Sequence, residues 1–257
     1  MELGLAGRRA LVLASSSGLG RAVAAALVAE GAKVAVTSRD EARAAAAAAE
    51  IGAAAACVVD LTVPGAGTRV VDDALAALGG LDVCVVNTGG GRPGGILATT
   101  ATDDDGAYEA MLRPALEVSR AAAPHLRTAP SGGRLVFLTA RSVVEATPEL
   151  ALSSVFRSGV AAMARSLALE LAPEVNVNVV VLGQFATGAL ERFERARAEA
   201  EGRPIEEVHG EHVASIPLGR LGCAGELADV VAFLCSARAS FVTGTTIRVD
   251  GGAVRGF

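Results

Sequence analysis

The chain has 257 residues, 51% of them hydrophobic and 20% charged, with a formal net charge of −5. That is apolar enough to bury a core and too apolar for a disordered chain, and the acidic balance excludes the basic face expected of a nucleic-acid protein. A run of 18 uncharged apolar residues is absent, since the Ala-rich stretch from Ala44 is broken by Glu50, so no membrane span is expected.

Arg8-Arg9 followed by Ala10-Leu11-Val12-Leu13-Ala14 faintly resembles an export signal, but five apolar residues are too few, and a first buried strand over Arg9 to Leu13 explains them better. A Ser/Gly cluster follows, then a helical stretch over Arg21 to Glu30 and a second strand over Lys33 to Thr37. Glu41 to Glu50 reads as an Ala-rich helix, Ala55 to Val59 as a third strand, Val63 to Leu78 as a helix and Asp82 to Val86 as a fourth strand. The pattern continues with one long helix over Asp103 to His125, strands over Arg134 to Thr139 and Val175 to Leu182, and a helix over Leu152 to Leu171 between them. A helix over Glu226 to Ser236 and a last strand over Thr246 to Val249 close the chain. Strands alternating with helices of ten or more residues define βαβ units, and continuously apolar strands such as Leu135 to Leu138 are those of a parallel sheet covered on both faces. The expectation is one domain spanning residues 1–257, a doubly wound α/β fold of about seven strands. The stretch Gln184 to Arg220, rich in Glu and Arg and without a strand, is either a helical lid on the ligand-binding edge or an ordinary solvated helix pair.

Four scattered cysteines with no C-x-x-C pair point to a reducing cytoplasm and to thiols used as small buried hydrophobes. The basic residues are 22 arginines and one lysine, Lys33, and the chain has one tyrosine, Tyr108.

Between the first strand and helix lies Leu13-Ala14-Ser15-Ser16-Ser17-Gly18-Leu19-Gly20. A strand-to-helix turn of small residues lets backbone N–H groups approach a pyrophosphate at the positive end of a helix, and the three serines add hydroxyl donors. The segment resembles the T-G-x-x-x-G-[IL]-G loop of the short-chain dehydrogenase/reductase family, with Leu13 for the threonine and Ala14 for the first glycine. Asp60 resembles the family's adenine-side acid, with Leu61 beside it, and Asn87-Thr88-Gly89-Gly90 resembles the N-N-A-G segment. Leu182-Gly183-Gln184-Phe185-Ala186-Thr187 resembles the P-G-x-[IV]-x-T segment that meets the nicotinamide end, and the tail through Val249-Asp250-Gly251-Gly252 reads like the family's close. The resemblance spans essentially the whole chain and is nearest to the β-ketoacyl-carrier-protein-reductase-like members. It implies a Rossmann-like fold, a bound dinucleotide, a small-molecule substrate and a homo-oligomer, a tetramer or dimer. Ala14, Ser15, Ser16, Ser17, Gly18, Leu19, Gly20, Asp60, Leu61, Asn87, Thr88, Gly89, Gly183, Phe185 and Thr187 are thereby expected at the cofactor.

Ser38 stands at the family's acidic position after the second strand and Arg39 follows it. A carboxylate there would repel a 2′-phosphate, whereas a guanidinium forks onto one, so NADP(H) is expected over NAD(H); the alternative is a surface arginine paired with Asp40 or Glu41.

The catalytic positions depart from the pattern. Anchored on Ser158-Gly159, which resembles the Ala-Gly after the family's lysine, the lysine becomes Arg157, the tyrosine Ser153, the serine Ala140 and, by a gap-free count back from Pro124, the asparagine Met111. With one tyrosine and one lysine far apart, Tyr-x-x-x-Lys cannot occur anywhere in the chain. Serine is too weak an acid to replace tyrosine unaided, and a guanidinium does not act as its base. Ser153 and Arg157, at i,i+4, either hold a carbonyl or anionic group together or are a solvated pair. Ser142 takes over part of the lost serine's role if the strand continues to it; otherwise it is a capping or loop residue. His209 and His212 are read as solvated rather than metal-binding, His125 as structural at a helix end, and the Gly89 to Gly95 run as a loop over the site or a surface turn. A non-redox protein on the same fold remains the alternative to an oxidoreductase.

Overall fold

The computed structural model describes residues 2–147 and 149–255. Its strands are β1 (Arg9–Val12), β2 (Lys33–Ser38), β3 (Ala55–Val58), β4 (Val83–Val86), β5 (Gly133–Ala140), β6 (Val175–Leu182) and β7 (Thr246–Val249). Helices α1 (Gly18–Ala29), α2 (Glu41–Ile51) and α3 (Ala66–Leu78) alternate with the first four strands. The second half carries α4 (Ala101–Ala107), α5 (Arg113–Arg127), α6 (Ala151–Glu170), α7 (Gly188–Glu201), α8 (Ile205–Ala214) and α9 (Ala224–Cys235). All seven strands are parallel, in the order β3-β2-β1-β4-β5-β6-β7.

Each central strand buries both of its faces, which is why its sequence is continuously apolar. Leu11, Leu135 and Phe137 pack on one side with Val70 of α3, Val118 of α5 and Val160 of α6. Val12, Val34 and Val136 pack on the other with Leu27 of α1 and Val231 of α9. At the amino edge of the sheet, Asp82 accepts from the Arg9 amide and Nε, both at 2.8 Å, and from Nη2 at 2.7 Å. Arg8 and Arg134 are buried there, donating to the carbonyls of Cys235 and Ser236 at 3.3 and 3.2 Å, where the negative end of α9 accommodates cations.

Two expectations change in detail. The helix expected over Asp103 to His125 is broken into α4 and α5 by a π turn over Tyr108–Leu112. Pro114, at the start of α5, lacks the N–H that would bond the preceding turn, and the Arg113 amide instead reaches back five residues to the Tyr108 carbonyl. The 184–220 stretch forms an antiparallel hairpin of α7 and α8, which pack mainly on each other rather than on the sheet.

The chain leaves β1 for β2 on one side, and β4 lies on the other. The resulting crevice at the carboxyl ends of β1 and β4 is the topological switch point, where open α/β sheets bind ligands.

Candidate functional site

The turn after β1 is held by its neighbours. The Ala14 amide donates to Thr37 Oγ1 at 2.8 Å, and the Asn87 side-chain amide donates to the Ala14 carbonyl at 3.3 Å. Ala14 itself has φ 47°, the left-handed region the family's glycine would fill without strain. Gly20 is required by close approach, since a Cβ there would lie 2.3 Å from the Ala14 carbonyl oxygen.

One serine is corrected. Ser15 is buried; its hydroxyl donates to the Val12 carbonyl at 2.6 Å and accepts from the Thr37 amide at 2.8 Å, so it braces the turn and offers no donor to a ligand. Ser16 and Ser17 are half-buried and exposed, and Leu19 is half-buried in the cavity wall. Among the described residues, the amides of Ser16, Ser17 and Gly18 donate no hydrogen bond within the protein. Three free amides at the start of a 12-residue helix, beside a glycine with nothing within 4 Å of its would-be Cβ, fit a pyrophosphate group.

On the adenine side, Arg39 is exposed and takes part in no ion pair among the described residues. Asp40 is not its partner, because it caps α2, accepting from the Arg43 amide at 2.8 Å. The exposed Asp60 carboxylate accepts from the Thr62 hydroxyl at 2.7 Å and amide at 2.9 Å, which with nearby Arg39 hold it below the usual carboxylate range. Leu61 is half-buried next to it.

A cavity of about 230 Å³ lies at the carboxyl ends of β4, β5 and β6, lined by Leu19, Asn87, Thr139, Arg157, Gln184 and Thr187 among others. Gly183 allows β6 to pass Asp250, whose Cα would stand 2.5 Å from an added Cβ. Phe185 is buried against Gly222, and Thr187 Oγ1 accepts from the Leu190 amide at 3.3 Å to cap α7. Thr88 is half-buried and Gly89 exposed in the loop after β4. That loop is pinned rather than loose: Gly94 bridges to Leu150, Arg92 pairs with Asp103 at 2.8 Å, and Gly91 packs against Met111.

The catalytic candidates divide. Strand β5 ends at Ala140, so Ser142 does not continue it but sits, buried, in a 3₁₀ turn over Arg141–Val143. The turn brings the Ser142 and Ser153 hydroxyls within 3.1 Å. Ser153 and Arg157 share a helix face, but among the described residues no hydrogen bond joins them. Arg157 instead donates to the Gly89 carbonyl at 2.7 Å and more weakly to that of Leu138 at 3.5 Å. It is part of the cavity wall, which corrects the reading of a solvated surface arginine, and burial pushes its guanidinium down to about 10. Met111, at the asparagine's position, is fully buried with Ala107 and Leu152. One histidine is also corrected: His212 is buried, while His209 is exposed as expected, and His212 and His209 approach the buried Glu194 carboxylate through Nδ1 at 2.7 and 3.2 Å. His125, exposed in the last turn of α5, is where a structural residue is expected. Thr37 and Thr139 were not anticipated; for Thr37 the signal was a hydroxyl ending an otherwise apolar strand.

Comparison with known proteins places this architecture. A family model described as enoyl-(acyl carrier protein) reductase matches residues 13–254. The chain is 31% identical over 247 residues to an uncharacterized oxidoreductase of Mycobacterium tuberculosis, covering 95% of this chain and 90% of that one. It is 31% identical over 248 residues to the 3-oxoacyl-[acyl-carrier-protein] reductase of Salmonella typhimurium, covering 96% and 97%. The L-sorbose reductase of Gluconobacter frateurii, solved with NADPH and L-sorbose, superimposes with a TM-score of 0.93 at 25% identity over 100% of both chains. The chain belongs to the short-chain dehydrogenase/reductase family of oxidoreductases.

Proposed function

We propose that this protein is an NADP(H)-dependent oxidoreductase acting on a small carbonyl compound or alcohol, working without the family's tyrosine–lysine pair. The observation that carries the reading is the combination, among the described residues, of three amides at the start of α1 that donate no hydrogen bond with an exposed Arg39, in no direct ion pair, at the end of β2. The amides of Ser16, Ser17 and Gly18 would hold the pyrophosphate, Arg39 the 2′-phosphate, and Asp60 and Leu61 the adenine edge. Asn87, Thr88, Gly89, Gly183, Phe185 and Thr187 would hold the nicotinamide end. The cofactor, when bound, supplies or accepts the hydride. Ser153 and Ser142, with hydroxyls 3.1 Å apart, orient a substrate oxygen by hydrogen bonding. The proton comes from water or from the substrate, since neither serine nor Arg157 is a suitable acid at neutral pH. Loss of a dedicated acid/base costs roughly 10²–10⁴-fold, which slows a hydride transfer without removing it. The α7–α8 hairpin, capped at Thr187, acts as a lid over the cavity. We place the protein in the cytoplasm as a homo-oligomer, tetramer or dimer.

A dinucleotide-binding protein without redox chemistry is the second reading. It is favoured by the cavity wall, in which Arg157 is the one ionisable residue.

The test is titration with NADPH and NADH, followed by NADPH oxidation across a carbonyl panel. NADPH binds more tightly, and Arg39→Ala removes most of the preference, roughly ten- to a hundred-fold for lost charge-assisted bonds. Equal affinities would overturn the cofactor assignment, and tight binding without carbonyl-dependent oxidation would favour the second reading.

A further inference from the structure

Both ends of the α7–α8 hairpin are tied to the cavity wall. At one end Thr187, a wall residue, caps α7 through the Leu190 amide. At the other, Ser215 follows the last turn of α8, and its hydroxyl lies 3.3 Å from Oε1 of Gln184, which lines the same wall. The Gln184 backbone is fixed, since its carbonyl accepts from the Gly222 amide at 3.0 Å, but the contact with Ser215 is the only one its side chain makes through hydrogen bonding among the described residues. That contact is poorly matched. Ser215 Oγ carries a single proton, and the His212 carbonyl at 2.7 Å is its better acceptor. Toward Gln184 the hydroxyl is left as an acceptor facing another acceptor. A half-turn of the carboxamide removes the conflict: Nε2 donates to Ser215 Oγ, the Ser215 proton stays on His212, and Oε1 becomes an acceptor in the cavity wall.

Resting on the reading that a dinucleotide places its nicotinamide end in this cavity, we infer that Gln184 couples the bound cofactor to the hairpin. Gln184 Oε1 would accept from the N–H of the nicotinamide carboxamide, which selects the turned orientation and so gives Ser215 its donor. Gln184 can also meet a carboxamide the other way round, Nε2 donating to its oxygen. That arrangement leaves the conflict at Ser215 in place and is one hydrogen bond poorer. A ligand shifts an equilibrium only by its differential affinity for the two states, and here the difference is that bond. The effect reaches both helices, because His212, one turn before Ser215, meets the buried Glu194 carboxylate of α7 at 2.7 Å. Gln184 is thus a positioning residue, acting on the lid through Ser215.

The experiment is hydrogen exchange over Ile205–Ala214 in the whole protein, alone, saturated with NADPH, and saturated with adenosine 2′,5′-bisphosphate, which has the adenine and the 2′-phosphate but no nicotinamide. NADPH slows exchange there roughly 2- to 12-fold, the range for one net hydrogen bond, and the bisphosphate leaves it unchanged. Gln184→Met, which keeps the length and removes both polar atoms, erases the NADPH effect. So does Ser215→Ala, at a residue outside the cavity wall, whereas Ser215→Thr retains it. A merely structural role would raise exchange with and without NADPH alike, so the ratio of the two is the quantity compared. The wild-type comparison of the two ligands stands even if a variant does not fold. Unchanged exchange with NADPH bound, equal protection by the bisphosphate, or NADPH protection that survives Gln184→Met or Ser215→Ala overturns the inference and leaves the cofactor reading intact. Failure of NADPH to bind overturns that reading and the inference with it. NADPH-specific protection without carbonyl-dependent oxidation supports the inference and overturns only the redox part of the reading.

Discussion

Ala14 holds a backbone conformation that an L-residue adopts at a cost of about 1–2 kcal/mol, and the Thr37 and Asn87 bonds keep it there. Ala14→Gly relieves that strain, although glycine gives back about 0.4–1 kcal/mol through a freer unfolded chain. The expected outcome is a net gain of about 0.5–1 kcal/mol, read as a higher urea midpoint with an unchanged slope. At this scale the sequence was informative about position and less so about use. Ser15, Ser16 and Ser17 look equivalent as letters, and only the Thr37 amide, 22 residues away, and the Val12 carbonyl decide that Ser15 braces the turn while its neighbours do not. Arg157 was legible as the replacement of a lysine. Its place in a cavity wall without acids was not, because that depends on side chains from β4, β5, β6 and α7 converging.

The α7–α8 hairpin is held by polar contacts more than by apolar ones. Its buried apolar residues, among the described residues, are Ala198 and Val208; Glu194 lies buried between His209 and His212, and Phe193 stacks on His212 at 6.0 Å. Outside, Arg197 pairs with Glu201 and Glu211, and Arg203 with Glu201, Glu207 and Glu211. Exposed pairs are individually weak, so the buried carboxylate is the contact that matters. Glu194→Ala leaves the buried His212 donor without its partner, at about 1–3 kcal/mol. Because the hairpin stands apart from the sheet, the expected result is local: hydrogen exchange over 188–214 speeds up roughly 5- to 150-fold while the global urea midpoint moves little. A matching drop in the global midpoint would show the hairpin to be part of the cooperative core. Strands were readable to within a residue or so because their apolar runs are continuous. The π turn was not, since nothing in a helical pattern distinguishes a backbone that reaches back five residues from one that reaches back four.

For the molecule as a whole, acid stability depends on the amino edge of the sheet. Burial pushes the Asp82 carboxyl up, but its hydrogen bonds to Arg9, helped by the charges of Arg9 and Arg8, outweigh this and hold it below the usual carboxylate range. A depressed folded-state value means the stabilisation is present above the ordinary carboxylate range and is lost as pH falls through it. Stability measured by urea should therefore fall as pH is lowered from 7 to 3. Asp82→Asn should cost about 1–3 kcal/mol at pH 7 and flatten that acid limb, and an unchanged limb would place the acid sensitivity elsewhere. The global topology was legible because alternation of strand and helix leaves few arrangements, and the parallel order follows from right-handed crossovers. The same edge carries the only lysine, Lys33, exposed where β2 begins. The crevice opens at the other end of the strands, about 20 Å away for six residues at 3.3 Å each. Side-chain amine coupling thus has one position, at the base of the sheet, and a molecule tethered to a surface through Lys33 would hold the crevice toward the solution.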